Sequence, residues 1–501
     1  MPKRMILSAI AAVALLVAVP VGAEASSKQI SIFEDSSVFF GQHPDKDLDA
    51  ALAQAKALGA DAVRASMTWS RTSPAGKKRV KPAGFDVANP NSPGYDWSLY
   101  DRFVDRARKH GLKVFLSLSG EIPYWASNEP SKCPHHIGGY KNLALSCMWK
   151  PNSKLYGQFV KAVAAHYRGK VAMYSMWNEP NLEHQLYPQF KKTRSGMVDL
   201  GGKQLRELWI AGYKGAVSAD KGLKNKVLFG ETAAISSPMD TLYSALCLTE
   251  EGKPYTGRMK ALQGCSKPAK LPIAGLAIHP YNKDGVGDVF TRSFTKDSMT
   301  MAYASRATRV LRAAEKYKRI PKGRGIYVTE FGFQTKPPDR RGLSLDNQAK
   351  ELNQADRLFF ADPRIRSVAQ FELFDAKEPK KEDVYNTGLL SFTGKAKPSL
   401  AAYRMPLVVT KLAADRVEVW GQVRPARGRV TPVVAVSKSS RGPFVRASGA
   451  RTNASGYYRF VFKRANAAKL RYRATWTSPS RQRFTSRVAT AGKAITYREK
   501  P

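Results

Sequence analysis

The chain has 501 residues, 43% of them hydrophobic and 24% charged, with a formal net charge of +42. That length exceeds one typical domain, and an apolar content without any low-complexity tract excludes a chain that is disordered over most of its length. Charge of this size suits polyanions, whether nucleic acid, an anionic cell-wall polymer or an acidic polysaccharide.

The N-terminus reads as an export signal. Lys3 and Arg4 precede an apolar run over residues 5–19, and Ala23 and Ala25 stand in the small-x-small arrangement of a peptidase site. An uncleaved membrane anchor is the alternative, because the run approaches spanning length. Pro20 and the small residues that follow favour cleavage after residue 25. The mature protein is then expected outside the cytoplasm, with no membrane attachment. Extracellular polymers are the better partners there, and no specific nucleic acid is implied.

From residue 30 to 403, short apolar runs alternate with helical patterns. The runs fall at 30–33, 62–67, 113–118, 171–177, 226–229, 276–278, 325–329 and 368–374. Between the second and third, Trp97, Tyr100, Phe103, Val104 and Ala107 recur at helical spacing, with Asp96 placed to cap the start and Gly111 the end. Eight strand–helix repeats predict an α/β fold, a (β/α)8 TIM barrel over residues 26–404. A doubly wound open sheet is the competitor, but no Gly-rich phosphate turn follows the first strand. Long insertions at 124–150 and 183–201 are expected to shape a cleft. Among the cysteines, pairing Cys133 with Cys147 and Cys247 with Cys265 is the most economical of three possible sets. A metal site at Cys133 beside His135 and His136 is the alternative, and no C-x2-C spacing supports it.

After Pro406 the pattern changes to alternating runs separated by turn residues every ten or so positions. Residues 405–501 therefore predict a small all-β sandwich. This stretch carries 21 Lys and Arg against 3 Asp and Glu. Its strands could present a polymer-binding face or only a solvated one.

Two carboxylates stand where barrel chemistry is done. Glu179 follows the fourth run in Trp177-Asn178-Glu179-Pro180-Asn181, where alternation would put Ser175, Trp177 and Glu179 on one face. Glu330 ends the seventh run, on one face with Ile326 and Val328 by the same alternation. Paired carboxyl groups across a sugar are the machinery of glycosidic cleavage, one donating a proton and the other attacking carbon or activating water.

These motifs resemble clan A glycoside hydrolases. Trp177–Asn181 and the exit Glu121-Ile122-Pro123-Tyr124-Trp125-Ala126 are most like family 39, the β-xylosidase and iduronidase-like enzymes, with the cellulase-like family 5 close behind. The resemblance implies a secreted retaining O-glycoside hydrolase acting on a polysaccharide or oligosaccharide by double displacement. Glu179 would be the acid/base and Glu330 the nucleophile, with no metal or cofactor. It further implies Arg64 beside the nucleophile, Asn178 on a sugar hydroxyl, and His279 with Tyr281 at the end of the sixth strand. Trp69 and Trp125 are candidate sugar platforms, with core packing as the alternative. The eighth run departs from the clan in having no Trp. Phe371 or Phe374 is left to replace it, and Glu372 or Asp375 to meet a hydroxyl. The reading from another class is a non-catalytic cell-wall or anionic-polysaccharide-binding protein on the same barrel.

Overall fold

The computed structural model describes residues 28–41, 47–134, 147–282, 285–293, 295–375, 386–426 and 428–500. The predicted signal sequence, His135, His136 and part of the 124–150 insertion lie outside them. Two compact units are present, residues 404–495 and residues 25–403 with 496–501.

The larger unit is a closed barrel of eight parallel strands, each followed by a helix. In chain order these are β1 (Ile30–Glu34), α1 (Leu48–Ala57), β2 (Ala62–Thr68), α2 (Ser98–Lys109), β3 (Lys113–Ser119), α3 (Ser153–His166), β4 (Met173–Met176) and α4 (Leu200–Ala219). The second half continues with β5 (Val227–Ala233), α5 (Pro238–Ala245), β6 (Gly275–His279), α6 (Arg306–Lys316), β7 (Gly325–Phe331), α7 (Leu345–Phe360), β8 (Ile365–Phe371) and α8 (Pro398–Arg404). All eight predicted runs overlap barrel strands. Helix α2 turns its buried face, Tyr100, Phe103, Val104 and Ala107, to the core. The Asp96 carboxylate accepts from the Ser98 N–H at 3.0 Å, and Gly111 ends the turn at φ +66°.

The barrel interior is layered by side-chain size and polarity. Ile32, Ala62, Phe115, Met173, Leu228, Ala277 and Ala369, one from each strand but β7, form a dry plug. Two residues further along their strands, Glu34, Arg64, Ser117, Ser175 and His279 occupy the same inward face. The polar layer therefore rests on an apolar floor at the C-terminal mouth, where barrel loops build sites.

The smaller unit is one eight-stranded sheet. Its strands are β9 (Leu407–Lys411), β10 (Arg416–Gln422), β11 (Val433–Ser437), β12 (Val445–Gly449), β13 (Tyr457–Lys463), β14 (Arg471–Thr477), β15 (Arg483–Thr485) and β16 (Ala489–Gly492). They run β12–β11–β14–β16–β9–β10–β13, with β15 added on β14. Leu407, Val409, Val417 and Val419 from one half share a single core with Val434, Val436, Tyr472 and Ala474 from the other. The sheet thus curls over its own inner face and gives the sandwich-like burial that the alternation predicts. The final residues differ from that expectation, because 496–500 group with the barrel. There Glu499 accepts from Arg306 Nε at 2.9 Å and also pairs with Arg309, while Arg498 N–H donates to the Ala302 carbonyl at 2.9 Å.

Both expected disulfides form, Cys133–Cys147 and Cys247–Cys265. The second closes a loop 18 residues apart in sequence next to α5. On the chain-entropy account, replacing both cysteines by serine should cost about 3 kcal/mol. Denaturant unfolding of the double variant checks this; an unchanged midpoint would show that the loop is restrained in the unfolded chain by other means.

Candidate active site

Each site carboxylate sits where its strand breaks the regular pattern. Strand β4 stops at Met176, because Trp177 and Glu179 adopt left-handed backbone at φ +75° and +44°. The expected alternation of Ser175, Trp177 and Glu179 therefore does not hold. Trp177 turns into the core, where its ring packs edge-on against Tyr156 and Nε1 donates to the Gln185 carbonyl at 2.8 Å. The Glu179 N–H donates to the Glu231 carbonyl at 2.8 Å. Asn181 then ties this turn to the end of β5, its Oδ1 accepting from the Ala233 N–H at 2.9 Å and its Nδ2 donating to the Ile235 carbonyl at 2.6 Å. Two chain segments thus hold the strained loop in place.

Glu330 needs a similar correction. Tyr327 packs at the barrel plug and Thr329 Oγ1 donates to Glu231 at 2.8 Å, so those two residues face inward. Strict alternation would send Glu330 outward with Ile326 and Val328. Between Val328 and Phe331, however, β7 advances three residues while β8 advances two, from Val368 to Gln370. That bulge re-aims Glu330 into the site. A second irregularity lies in β5, where Gly230 has φ +112° and a Cβ would lie 2.7 Å from the Ala277 carbonyl. Glu231 follows at φ +51°.

Arg64 links these elements. It pairs with Glu34 and donates to Glu330 Oε1 at 2.7 Å through Nη1, and to Glu231 and Asn178 Oδ1, both at 3.0 Å, through Nη2. His279 is the second link, with Nδ1 3.0 Å from Glu179 Oε1 and Nε2 2.7 Å from Glu231 Oε2. Its Nε2 also lies 3.6 Å from Glu330. Tyr281 Oη donates to Glu330 Oε2 at 3.3 Å. Arg64, His279 and Glu231 are fully buried, whereas the side chains of Glu179 and Glu330 are 18% and 11% exposed. The two outer carboxylates therefore face the opening and the others stand behind them.

Carboxylates at both ring nitrogens make both of them donors, so His279 is an imidazolium. Burial alone would lower its pKa, but the Glu330 charge and the hydrogen bonds it donates to Glu179 and Glu231 raise it to about 10. Glu231 is drawn down to about 2: burial opposes ionisation, and Arg64 and His279 overcome it. Glu34 goes the other way, to about 8, because burial and the Glu330 charge outweigh Arg64. One oxygen of Glu179, one nitrogen of His279 and one oxygen of Glu330 lie within 4.8 Å of one another, a spacing that could hold a cation. Both ring nitrogens of His279 are already engaged, Nδ1 by Glu179 and Nε2 by Glu231.

These shifts set a pH dependence of stability. Glu34 rises from its ordinary 4.5 to about 8, so the stability that its proton lends the native state is complete below 4.5 and is lost as pH climbs to about 8. His279 rises from 6.5, so its contribution is complete below that and lost by about 10. Glu231 contributes above 4.5 and fails only as pH falls towards 2. Melting temperature should therefore decline from mildly acidic to alkaline pH. Glu34→Gln should flatten the part of the decline below pH 8 and keep the part above it. Superimposable profiles for the two proteins would show that Glu34 does not titrate in this window.

The residues predicted from sequence separate into two groups. Arg64, Asn178, Glu179, His279, Tyr281 and Glu330 come together. Trp69 and Trp125 do not offer sugar platforms. Trp69 is fully buried and stacked on Phe159 at 5.3 Å, with Trp125 against it edge-on, so its faces are already covered by core side chains. Trp125 is 5% exposed, packed on Phe85, and its Nε1 donates to the Pro74 carbonyl. At the end of β8, Phe371 lies edge-on to Tyr281, and Asp375 is occupied by Lys397 at 2.6 Å. Glu372 is buried there with Oε2 unpartnered among the described residues. Sequence reasoning missed Glu34 and Glu231. Each stands at the end of an apolar run, the same signal that singled out Glu330.

No family model and no curated protein matches the sequence. Among solved structures the chain is similar to a family 39 glycoside hydrolase from the gut symbiont Bacteroides cellulosilyticus, at 14% identity and TM-score 0.48 over 88% of this chain and 83% of that one. It is also similar to an intracellular xylanase from Thermoanaerobacterium saccharolyticum (15% identity, TM-score 0.44, 77% and 98% covered). Xylanase B from Clostridium stercorarium is comparable (14% identity, TM-score 0.44, 76% and 99% covered).

Proposed function

We propose that this chain is a retaining O-glycoside hydrolase that works by double displacement. The observation that carries the reading is the approach of Glu179 and Glu330 to within 4.8 Å at the barrel mouth. Retaining enzymes hold their two carboxyl groups about 5–5.5 Å apart, whereas inverting enzymes need about 6.5–9.5 Å to admit a water.

In the first step the Glu330 carboxylate bonds to the anomeric carbon as the glycosidic C–O bond breaks. The leaving oxygen takes its proton from Glu179. Arg64 and Tyr281 hold the nucleophile through separate oxygens and fix its direction of attack. His279 donates to Glu179 Oε1, which leaves Oε2 to carry the transferred proton. In the second step Glu179 removes a proton from water, the water oxygen bonds to the anomeric carbon, and the bond to Glu330 breaks. The configuration is retained after two inversions.

The predicted export signal and two disulfides support secretion as part of this reading. No helix among the described residues is long and apolar enough to cross a membrane. A polysaccharide or oligosaccharide is the proposed substrate, and an anionic cell-wall polymer a proposed partner of the β-domain.

The test is a panel of aryl glycosides and neutral and acidic polysaccharides, with the first-formed sugar followed by NMR. Release with unchanged anomeric configuration is expected. An inverted product would overturn the assignment of Glu330, and tight binding without turnover across the panel would favour the non-catalytic polysaccharide-binding protein.

A further inference from the structure

The outer face of the β-domain concentrates charge that no acid pairs with among the described residues. In β14, Tyr472 and Ala474 point into the core, so Arg471, Arg473, Thr475 and Thr477 point outward. Residues directly opposite on paired strands share a face. Ala435 lies opposite both Arg446 and Arg473, Ser437 opposite Arg471, and Thr477 opposite Arg483. Four arginines from three strands therefore stand on one surface, with Ala435 and Thr475 between them. At the strand spacing of about 4.8 Å, Arg446 and Arg473 are roughly 10 Å apart across Ala435, and Arg471 is roughly 7 Å along the strand from Arg473.

Few acids are near them in sequence. From residue 405 onward there are only Asp415, Glu418 and Glu499. Glu418 pairs with Arg459, and Glu499 is held by Arg306 and Arg309. Among the described residues, none of the four arginine side chains makes an ion pair or hydrogen bond. Arg473 instead lies over the Phe444 ring at 4.1 Å, which fixes its direction and sets an aromatic surface within the patch. Like charges gathered on one sheet face destabilise the free domain. A solvated face needs no such arrangement, and a bound polyanion compensates for it.

We infer that this face, Arg446, Arg471, Arg473 and Arg483 around Phe444, binds an acidic polysaccharide that carries carboxylate groups along its chain. The guanidinium forks suit carboxylates bidentately, the small residues leave room for a polymer to lie across the strands, and Phe444 suits the apolar face of a sugar ring. The preference for a polysaccharide over other polyanions rests on the glycan chemistry proposed for the barrel. Its test reads binding and not hydrolysis, so failure of that reading would show separately.

The experiment titrates full-length protein with polygalacturonate at 50 and 200 mM salt, with neutral xylan and duplex DNA as comparators. Arg446→Ala/Arg471→Ala/Arg473→Ala/Arg483→Ala should weaken polygalacturonate binding at least about 30-fold at low salt. It should also lower the slope of log K against log salt by roughly 3, about 0.7 for each of the four cations lost. Removing four exposed lysines from the barrel, Lys221, Lys224, Lys260 and Lys267, changes the net charge equally and should cost less than about 3-fold. The four-arginine variant should melt no lower than wild type, because it loses repulsion, and the corresponding Arg→Lys variant keeps the charge as a second folded control. Equal losses in the arginine and lysine variants would overturn the assigned surface. DNA bound as tightly through the same four arginines, or xylan bound as well as polygalacturonate, would overturn the acidic polysaccharide.

Discussion

Replacing Glu330 with alanine should lower kcat by on the order of 10⁴- to 10⁶-fold, the range for removing a group that forms the covalent intermediate. The fold should survive. Glu330 is one of three carboxylates on Arg64, and Glu34 and Glu231 remain to hold the guanidinium. Its loss also removes a negative charge that pushes Glu34 towards its protonated form. The variant should therefore melt at or above the wild-type temperature while losing turnover. Added azide can enter the vacated space and bond to the anomeric carbon in a single displacement. The resulting glycosyl azide should have inverted configuration. With Glu179→Ala, azide should instead intercept the glycosyl–enzyme and give the retained product. A Glu330→Ala variant within about tenfold of wild type would remove Glu330 from the mechanism.

The largest loss of stability is expected from Arg64→Met. The guanidinium is 1% exposed and contacts three carboxylates and the Asn178 oxygen. Methionine fills much of the same volume but removes the cation shared by Glu34, Glu231 and Glu330, leaving only His279 beside Glu231 and Glu330. Removing one partner from a buried ionic cluster costs about 3–5 kcal/mol, which for a unit of this size is a fall in melting temperature on the order of 5–10 °C. Adding Glu231→Gln to Arg64→Met should recover part of the loss, because it removes the carboxylate most firmly held in its ionised form. Arg64→Lys should fall between wild type and Arg64→Met, since one ammonium cannot reach all of these partners. A melting temperature within about 1 °C of wild type for Arg64→Met would show that the carboxylates take up protons at little cost.

The barrel was legible in the sequence because its strands are buried on both sides, and such strands read as short apolar runs whatever their neighbours. The location of the carboxylates was legible for the same reason: a charged residue ending an apolar run has few places to go except the rim. Orientation was not. Alternation assumes a regular pleat, and left-handed backbone at Trp177, Glu179 and Glu231 and the bulge before Phe331 break it. The tryptophans were misread for a different reason. Trp69 and Trp125 have the right residue type near the right strand ends, but whether an aromatic face is open depends on Phe159 and Phe85, far away in sequence. Glu34 and Glu231 were passed over because no motif marks them. Their role follows from Arg64 and His279, which gather carboxylates from β1, β5 and β7 and from the turn after β4.

The grouping of residues 496–500 with the barrel changes how the β-domain is connected. Its chain leaves the barrel unit after Tyr403 and rejoins it at Thr496, so it is an insertion and not a tail. A stop codon placed after the last barrel helix would delete Glu499 together with the sheet and leave Arg306, whose side chain is 5% exposed, without its counter-ion. An expression design for the barrel alone should splice out 404–495 and join the flanking segments through a flexible linker. A purification tag is better attached away from the segment that carries Glu499.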